Sequence, residues 1–158
     1  MMKRMFLGAV TAIVLTTAAG AQQLPLPYGS PVTLAQAKTI VAAAEQSAQS
    51  RNFNMAFAVV EPSGELVLFH KMDGTQYGSD LVAREKARTA ARFKRSTKAF
   101  FDSIAGGRNA VLSLPGVVAI EGGTPIVING QIVGAIGVSG GTSEQDGEVA
   151  AAALLGLK

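Results

Sequence analysis

The stretch EGGTPIVINGQIVGAIGVSGGTSEQD, from Glu121 to Asp146, decides the fold. At its centre Asn129-Gly130 separates two apolar runs, Ile126-Val127-Ile128 and Gln131-Ile132-Val133, the second continuing to Val138. A type I′ turn needs positive φ at both central residues, and Asn-Gly supplies it, so the pair reads as an antiparallel hairpin. Glycines crowd the unit at 122, 123, 134, 137, 140 and 141. Inside strands they imply bulges, or close approach by another backbone or a ligand. Ser139-Gly140-Gly141-Thr142-Ser143 then leads into a helix over Glu144 to Leu155, with Thr142 and Gln145, or Ser143 and Asp146, as its cap. That loop can offer backbone N–H groups to an anion. It is no Walker loop, because the Gly-Lys-Ser/Thr ending is missing.

Upstream, Thr33 with Gln36 forms a capping box for a first helix, whose Leu34, Ala37, Ile40, Val41, Ala44 and Ala48 recur at helical spacing. Phe53 to Val60 reads as a strand, Glu61-Pro62-Ser63-Gly64 as a turn, and Glu65 to Met72 as the returning strand. A second helix is capped by Ser79 or Asp80 and presents Ala83, Ala87, Ala90 and Ala91 on one side. Ser96-Thr97 recaps a shorter helix, Lys98 to Ile104, which Gly106-Gly107 stops. A connector over Val111–Gly116 precedes three strands, Val117–Glu121, Pro125–Ile128 and Gln131–Val138. The order α, ββ, αα, βββ, α lacks βαβ alternation and predicts an α+β domain on an antiparallel sheet.

Residues 1–21 read as a signal peptide: Lys3 and Arg4, an apolar run from Phe6 to Thr17, then Ala19-Gly20-Ala21. The run falls short of the about 20 residues a bilayer span needs. The expected destination is the periplasm or the exterior, with no stable membrane anchor after cleavage. Residues 22–31, with three Pro and a Gly, read as an extended segment, and 32–158 as a single domain. Loss of Lys3 and Arg4 removes two units from the formal net charge of +3, so basicity says little about nucleic acid. With no Trp and two Tyr, base stacking is poorly served. The absence of Cys excludes disulfides, c-type haem attachment and a lipoprotein anchor.

Glu121-Gly122-Gly123-Thr124-Pro125-Ile126 and Gly134-Ala135-Ile136-Gly137-Val138-Ser139-Gly140 resemble the small haem-binding proteins of the GlcG/HbpS type, called haem-degrading. The resemblance extends through Leu34-Ala35-Gln36-Ala37, Met72-Asp73-Gly74, Lys86-Ala87-Arg88-Thr89-Ala90 and Leu114-Pro115-Gly116, in family order. It implies a profilin-like, five-stranded antiparallel sheet with helices on both faces, and a homo-oligomer. The function implied is binding of haem or a related tetrapyrrole for sequestration, delivery or sensing, with no turnover required. Relatives near glycolate genes and within PduO-type corrinoid adenosyltransferases imply an alternative, an enzyme or accessory factor acting on an organic acid. A third reading is an interaction protein feeding an envelope sensor.

His70 is the single histidine and the candidate iron ligand, sharing a strand face with Leu66, Leu68 and Met72. Some haem-binding relatives place a ligating histidine near the first helix, where this chain has Gln36 and Lys38. Arg84, Arg88, Arg92 and Arg95 line one helical stripe, and Arg88 and Arg92 are the candidates for haem propionates. A solvated or subunit-facing stripe is the other reading. Lys86 and Glu121 are candidate pocket residues; Lys86 is equally suited to an ion pair with Glu121 or Asp73. With one His, Ser139 has no His–Asp relay to activate it, and a zinc site would need ligands shared between subunits.

Overall fold

A computed structural model describes residues 25–157. The expected signal peptide lies outside the described residues. The elements are α1 (Leu34–Ser50), β1 (Ala56–Val60), β2 (Leu66–Lys71), α2 (Ser79–Phe93), α3 (Thr97–Ala105), a 3-10 turn over Asn109–Ser113, β3 (Gly123–Ile128), β4 (Gln131–Ser139) and α4 (Ser143–Ala152). The strands form one antiparallel sheet in the order β2-β1-β4-β3. The β3–β4 turn has φ of 51° at Asn129 and 73° at Gly130, as its sequence demands.

Alternation along the two central strands builds two unlike layers. Phe57, Val59, Ile136 and Val138 face α1 and α4, where Ile40, Val41, Ala44 and Val149 complete the larger core. Ala56, Ala58, Val60 and Ala135 face α2 and meet Ala83, Ala87, Ala90 and Ala91. Small residues on both sides bring α2 against the sheet backbone. A Cβ on Gly137 would collide with the Ala83 carbonyl and lie 2.6 Å from Ala87 N. At Gly137 the close approach implied by the strand glycines is therefore made by a helix. Both capping boxes form, Thr33 with Gln36 and Thr142 with Gln145.

Three expectations are corrected. The sheet has four strands, because Val117–Glu121 is not one of them: the Val118 N–H donates to Thr89 Oγ1 at 3.0 Å, and the ladder begins at Gly123. Instead, the segment before α1 adds a parallel bridge, Tyr28 to Ile132, beyond the end of β1. Its Tyr28 hydroxyl donates to the Ala91 carbonyl at 2.8 Å, and burial raises the phenol above its ordinary pKa. At the start of α2, Gly78 occupies the N-cap without a side-chain bond. Ser79 turns inward to a buried hydroxyl pair with Ser139 (3.1 Å), while Asp80 pairs with Arg84 at 2.9 Å. Ser96 likewise precedes α3 without a side-chain cap bond.

Candidate functional site

β2 and α1 assemble the first constellation. His70 lies opposite Phe57 in the β1–β2 ladder, and the rings stack with centroids 6.1 Å apart at 22°. Phe57 is fully buried and forms a floor. From α1, Glu45 brings Oε1 to 3.4 Å from His70 Nε2, and Gln49 donates to the same oxygen at 3.3 Å. The imidazole is thus held on one face and one edge while its side chain stays 41 % exposed. A carboxylate on one ring nitrogen fixes the ring and leaves the other free, the usual support for a metal-binding imidazole. Beside the ring opens a cleft of about 380 Å³ lined by His70, Met72, Asn54 and Asp73 among others. It runs into a groove of about 450 Å³ along Lys71–Tyr77, both lined by Lys71, Met72 and Asp73. Such volumes are in the usual range for small-molecule sites. Met72 packs partly against the core, and Lys71 Nζ sits 4.9 Å from the centroid of the exposed Tyr77 ring.

Lys86 belongs elsewhere. Its ammonium is 2.6 Å from Asp146 Oδ2 and donates to the Val138 carbonyl at 3.1 Å, with the two side chains 1 % and 4 % exposed. Gly141 N–H donates to the other Asp146 oxygen at 2.9 Å. Burial pushes the Asp146 carboxyl above the ordinary carboxylate range, while Lys86 and the Gly141 and Gly140 amides pull the opposite way. The expected partners, Glu121 and Asp73, are replaced by Asp146 because the Thr142–Gln145 box caps α4 and frees the next carboxylate to reach inward. Gly122 makes room: a Cβ there would meet Lys86 Nζ at 2.8 Å and Asp146 Cβ at 2.9 Å. Glu121 faces Lys98 at 3.6 Å and the space above Gly147.

Arg88 and Arg92 clamp the β1–β2 turn. Arg88 Nε donates to the Gly64 carbonyl (3.1 Å) and Arg92 Nε to that of Ser63 (2.7 Å). Arg84 lies over the Phe69 ring, 4.6 Å from its centroid, and Arg95 stands 5.5 Å from that of Phe100. Gly64 and His70 are six residue steps apart along the chain, about 20 Å when extended. The structure therefore joins His70 and Met72 in one cleft and leaves Arg88, Arg92, Lys86 and Glu121 outside it. Lys86, Arg88 and Glu121 each have a different partner: Asp146, the Gly64 carbonyl and Lys98. Sequence reasoning missed Glu45 and Asp146, since no local spacing ties either to its partner. Among the described residues no group of three or more His, Asp or Glu could hold a metal ion, and no helix is long and apolar enough to cross a membrane.

An α+β domain of this topology, a four-stranded antiparallel sheet with helices on both faces, finds its counterpart among known proteins. The model of the HbpS-like family, described as haem-degrading proteins, matches residues 32–155. The chain belongs to that family. Protein GlcG of Escherichia coli strain K12 is 41 % identical over 103 residues, 65 % of this chain and 77 % of that protein. The HbpS structure from Streptomyces reticuli, a double mutant, superposes with a TM-score of 0.75 at 26 % identity, covering 95 % of this chain and 99 % of HbpS. A complex described as PduOC with haem gives 0.70 at 26 % identity, covering 78 % and 93 %.

Proposed function

We propose that this protein binds haem in the cleft between α1 and the end of β2, with His70 as the iron ligand. One observation carries the reading: the single imidazole is stacked on Phe57, steadied by Glu45 and open to a cleft that continues past Met72 and Lys71. Membership of a haem-named family and similarity to a haem complex support it. Haem would supply an iron centre, which His70 would hold through an imidazole nitrogen. The chain's own part is to present that nitrogen, cover the ring's apolar edge and set Lys71 near the mouth, where an ammonium suits a carboxylate. Arg88 and Arg92, bound to turn carbonyls, serve the fold in this arrangement. Residues 1–21 act as an export signal, and the mature protein self-assembles and stores, delivers or reports haem in the periplasm or outside the cell, with an envelope sensor as its partner. No turnover is required.

The test is a haemin titration of residues 22–158 followed through the Soret band, beside His70→Ala. A saturable shift that is lost or at least about tenfold weaker in the variant is expected. A shift of equal strength in both proteins removes His70 from the site, and no saturable shift in either removes haem.

A further inference from the structure

The cleft beside His70 carries an uneven set of charges. Glu45, Asp73 and Lys71 line it with the imidazole, two carboxylates against one ammonium. The ammonium lies toward Tyr77, 4.9 Å from its ring centroid, whereas Glu45 comes within 3.4 Å of His70 Nε2. One turn along α1, Gln49 donates to the same Glu45 oxygen at 3.3 Å and holds it in place. Among the described residues no Lys or Arg pairs with Glu45, so its charge is left to act on the ring. The Glu45 side chain is 32 % exposed, which leaves it only partly screened by water.

We propose that the His70 site selects ferric over ferrous haem, with Glu45 as the positioning residue that sets the preference. This rests on the haem reading above and deepens it by naming the oxidation state taken up. Ferric iron carries one more positive charge than ferrous iron, so a fixed anion beside its ligand attracts the ferric form more strongly. At 3.4 Å the contact is long for a hydrogen bond, but Coulomb attraction falls off only with the first power of distance. A carboxylate on the outer nitrogen also raises the basicity of a ligating imidazole, which again suits the more highly charged metal. With Nε2 turned to Glu45, Nδ1 is the nitrogen left for iron.

The experiment is a spectroelectrochemical titration of the haem complex at one pH for the wild type, Glu45→Gln and Asp73→Asn, beside the haemin titration of each. Glu45→Gln keeps the side chain's shape and an oxygen for Gln49. Its ferric affinity is expected to fall about tenfold, the lower end of the usual effect of losing an outer partner of a metal ligand, with ferrous affinity nearly unchanged. A tenfold change in the ratio of the two affinities raises the one-electron potential by about 59 mV. Asp73 lines the same cleft without an ion pair to His70, so Asp73→Asn is expected to give a smaller shift. Equal shifts in the two variants would assign the preference to the cleft's net charge and overturn the role of Glu45. An unchanged potential in Glu45→Gln would overturn it too, as would haemin binding that tightens there because iron takes Nε2. None of these three results touches haem at His70, which stands on the loss of binding in His70→Ala. A wild type with no saturable Soret shift, or a His70→Ala variant that binds equally well, overturns the haem site and this preference with it.

Discussion

Replacing Lys86 by Met tests whether the Lys86–Asp146 pair is the electrostatic keystone of the fold. The side chains are 1 % and 4 % exposed, so the substitution leaves a carboxylate in the interior, held by the Gly141 N–H at 2.9 Å. Removing one partner of a buried pair typically destabilises by about 3–5 kcal/mol, against about 0–1 for an exposed pair. For a chain of this size the loss corresponds to a melting temperature lower by on the order of 10 °C. The pH dependence is diagnostic. Burial already raises the Asp146 carboxyl, and losing Lys86 removes the largest opposing influence. A raised carboxyl binds more protons in the folded than in the unfolded state, so stability falls as pH rises from the ordinary carboxylate value, about 3.9, through the raised one. Urea unfolding of the variant should therefore show a deficit at pH 7.5 that shrinks toward pH 4.5. Adding Asp146→Leu should recover most of it, since apolar replacement of a whole buried pair is often neutral, less about 1 kcal/mol for the Gly141 N–H. A deficit under about 1 kcal/mol, or one equal at both pH values, would refute this account.

Arg92→Ala should lower stability by about 1 kcal/mol through the loss of its bond to the Ser63 carbonyl, measured by urea unfolding. The same variant should leave the haemin titration unchanged, and a weakened titration would bring the arginine stripe back into the site. Gly137→Val should destabilise by about 3 kcal/mol or more, because its Cβ would enter the backbone of α2 at Ala83 and Ala87. Near-wild-type thermal unfolding would show that α2 can shift. Thr142→Ala should cost about 1 kcal/mol by removing the α4 cap, with amide exchange of the first turn of α4 rising in step.

Local chemistry made much of this fold legible. Asn129-Gly130 could serve one turn geometry, and Thr33 and Thr142 each met a glutamine three residues on, so the hairpin and two helix starts could be read directly. The strand expected at Val117–Glu121 fails for a reason no window of sequence contains: Thr89, on α2, accepts the Val118 N–H and donates to the Gly116 carbonyl at 3.2 Å. The site divides the same way. His70 was visible as the lone imidazole, but Glu45 reaches it from α1 only once β2 has been laid beside that helix. Asp146 stood in a capping context that explained it well enough to hide a partner 60 positions away.

That division governs how functional variants must be read. Two of the stretches that carry the family resemblance, Lys86 with Thr89 and Glu121-Gly122-Gly123, sit at the junction of α2, β4 and α4. There Thr97 Oγ1 accepts the Gly123 N–H at 2.9 Å, and Lys86 fills the space that Gly122 leaves. A substitution that unfolds this junction would abolish haem uptake by disturbing the domain, whatever the ligand's address. The buried pair therefore belongs to the scaffold, while the residues proposed to meet haem, His70, Glu45 and Met72, gather at the far end of β2. The Lys86→Met/Asp146→Leu double variant separates the two. If it folds and titrates haemin with wild-type affinity, the buried pair is structural and the α1–β2 cleft keeps its claim. A well-folded double variant that no longer binds would move the site to the pair and overturn the assignment to His70.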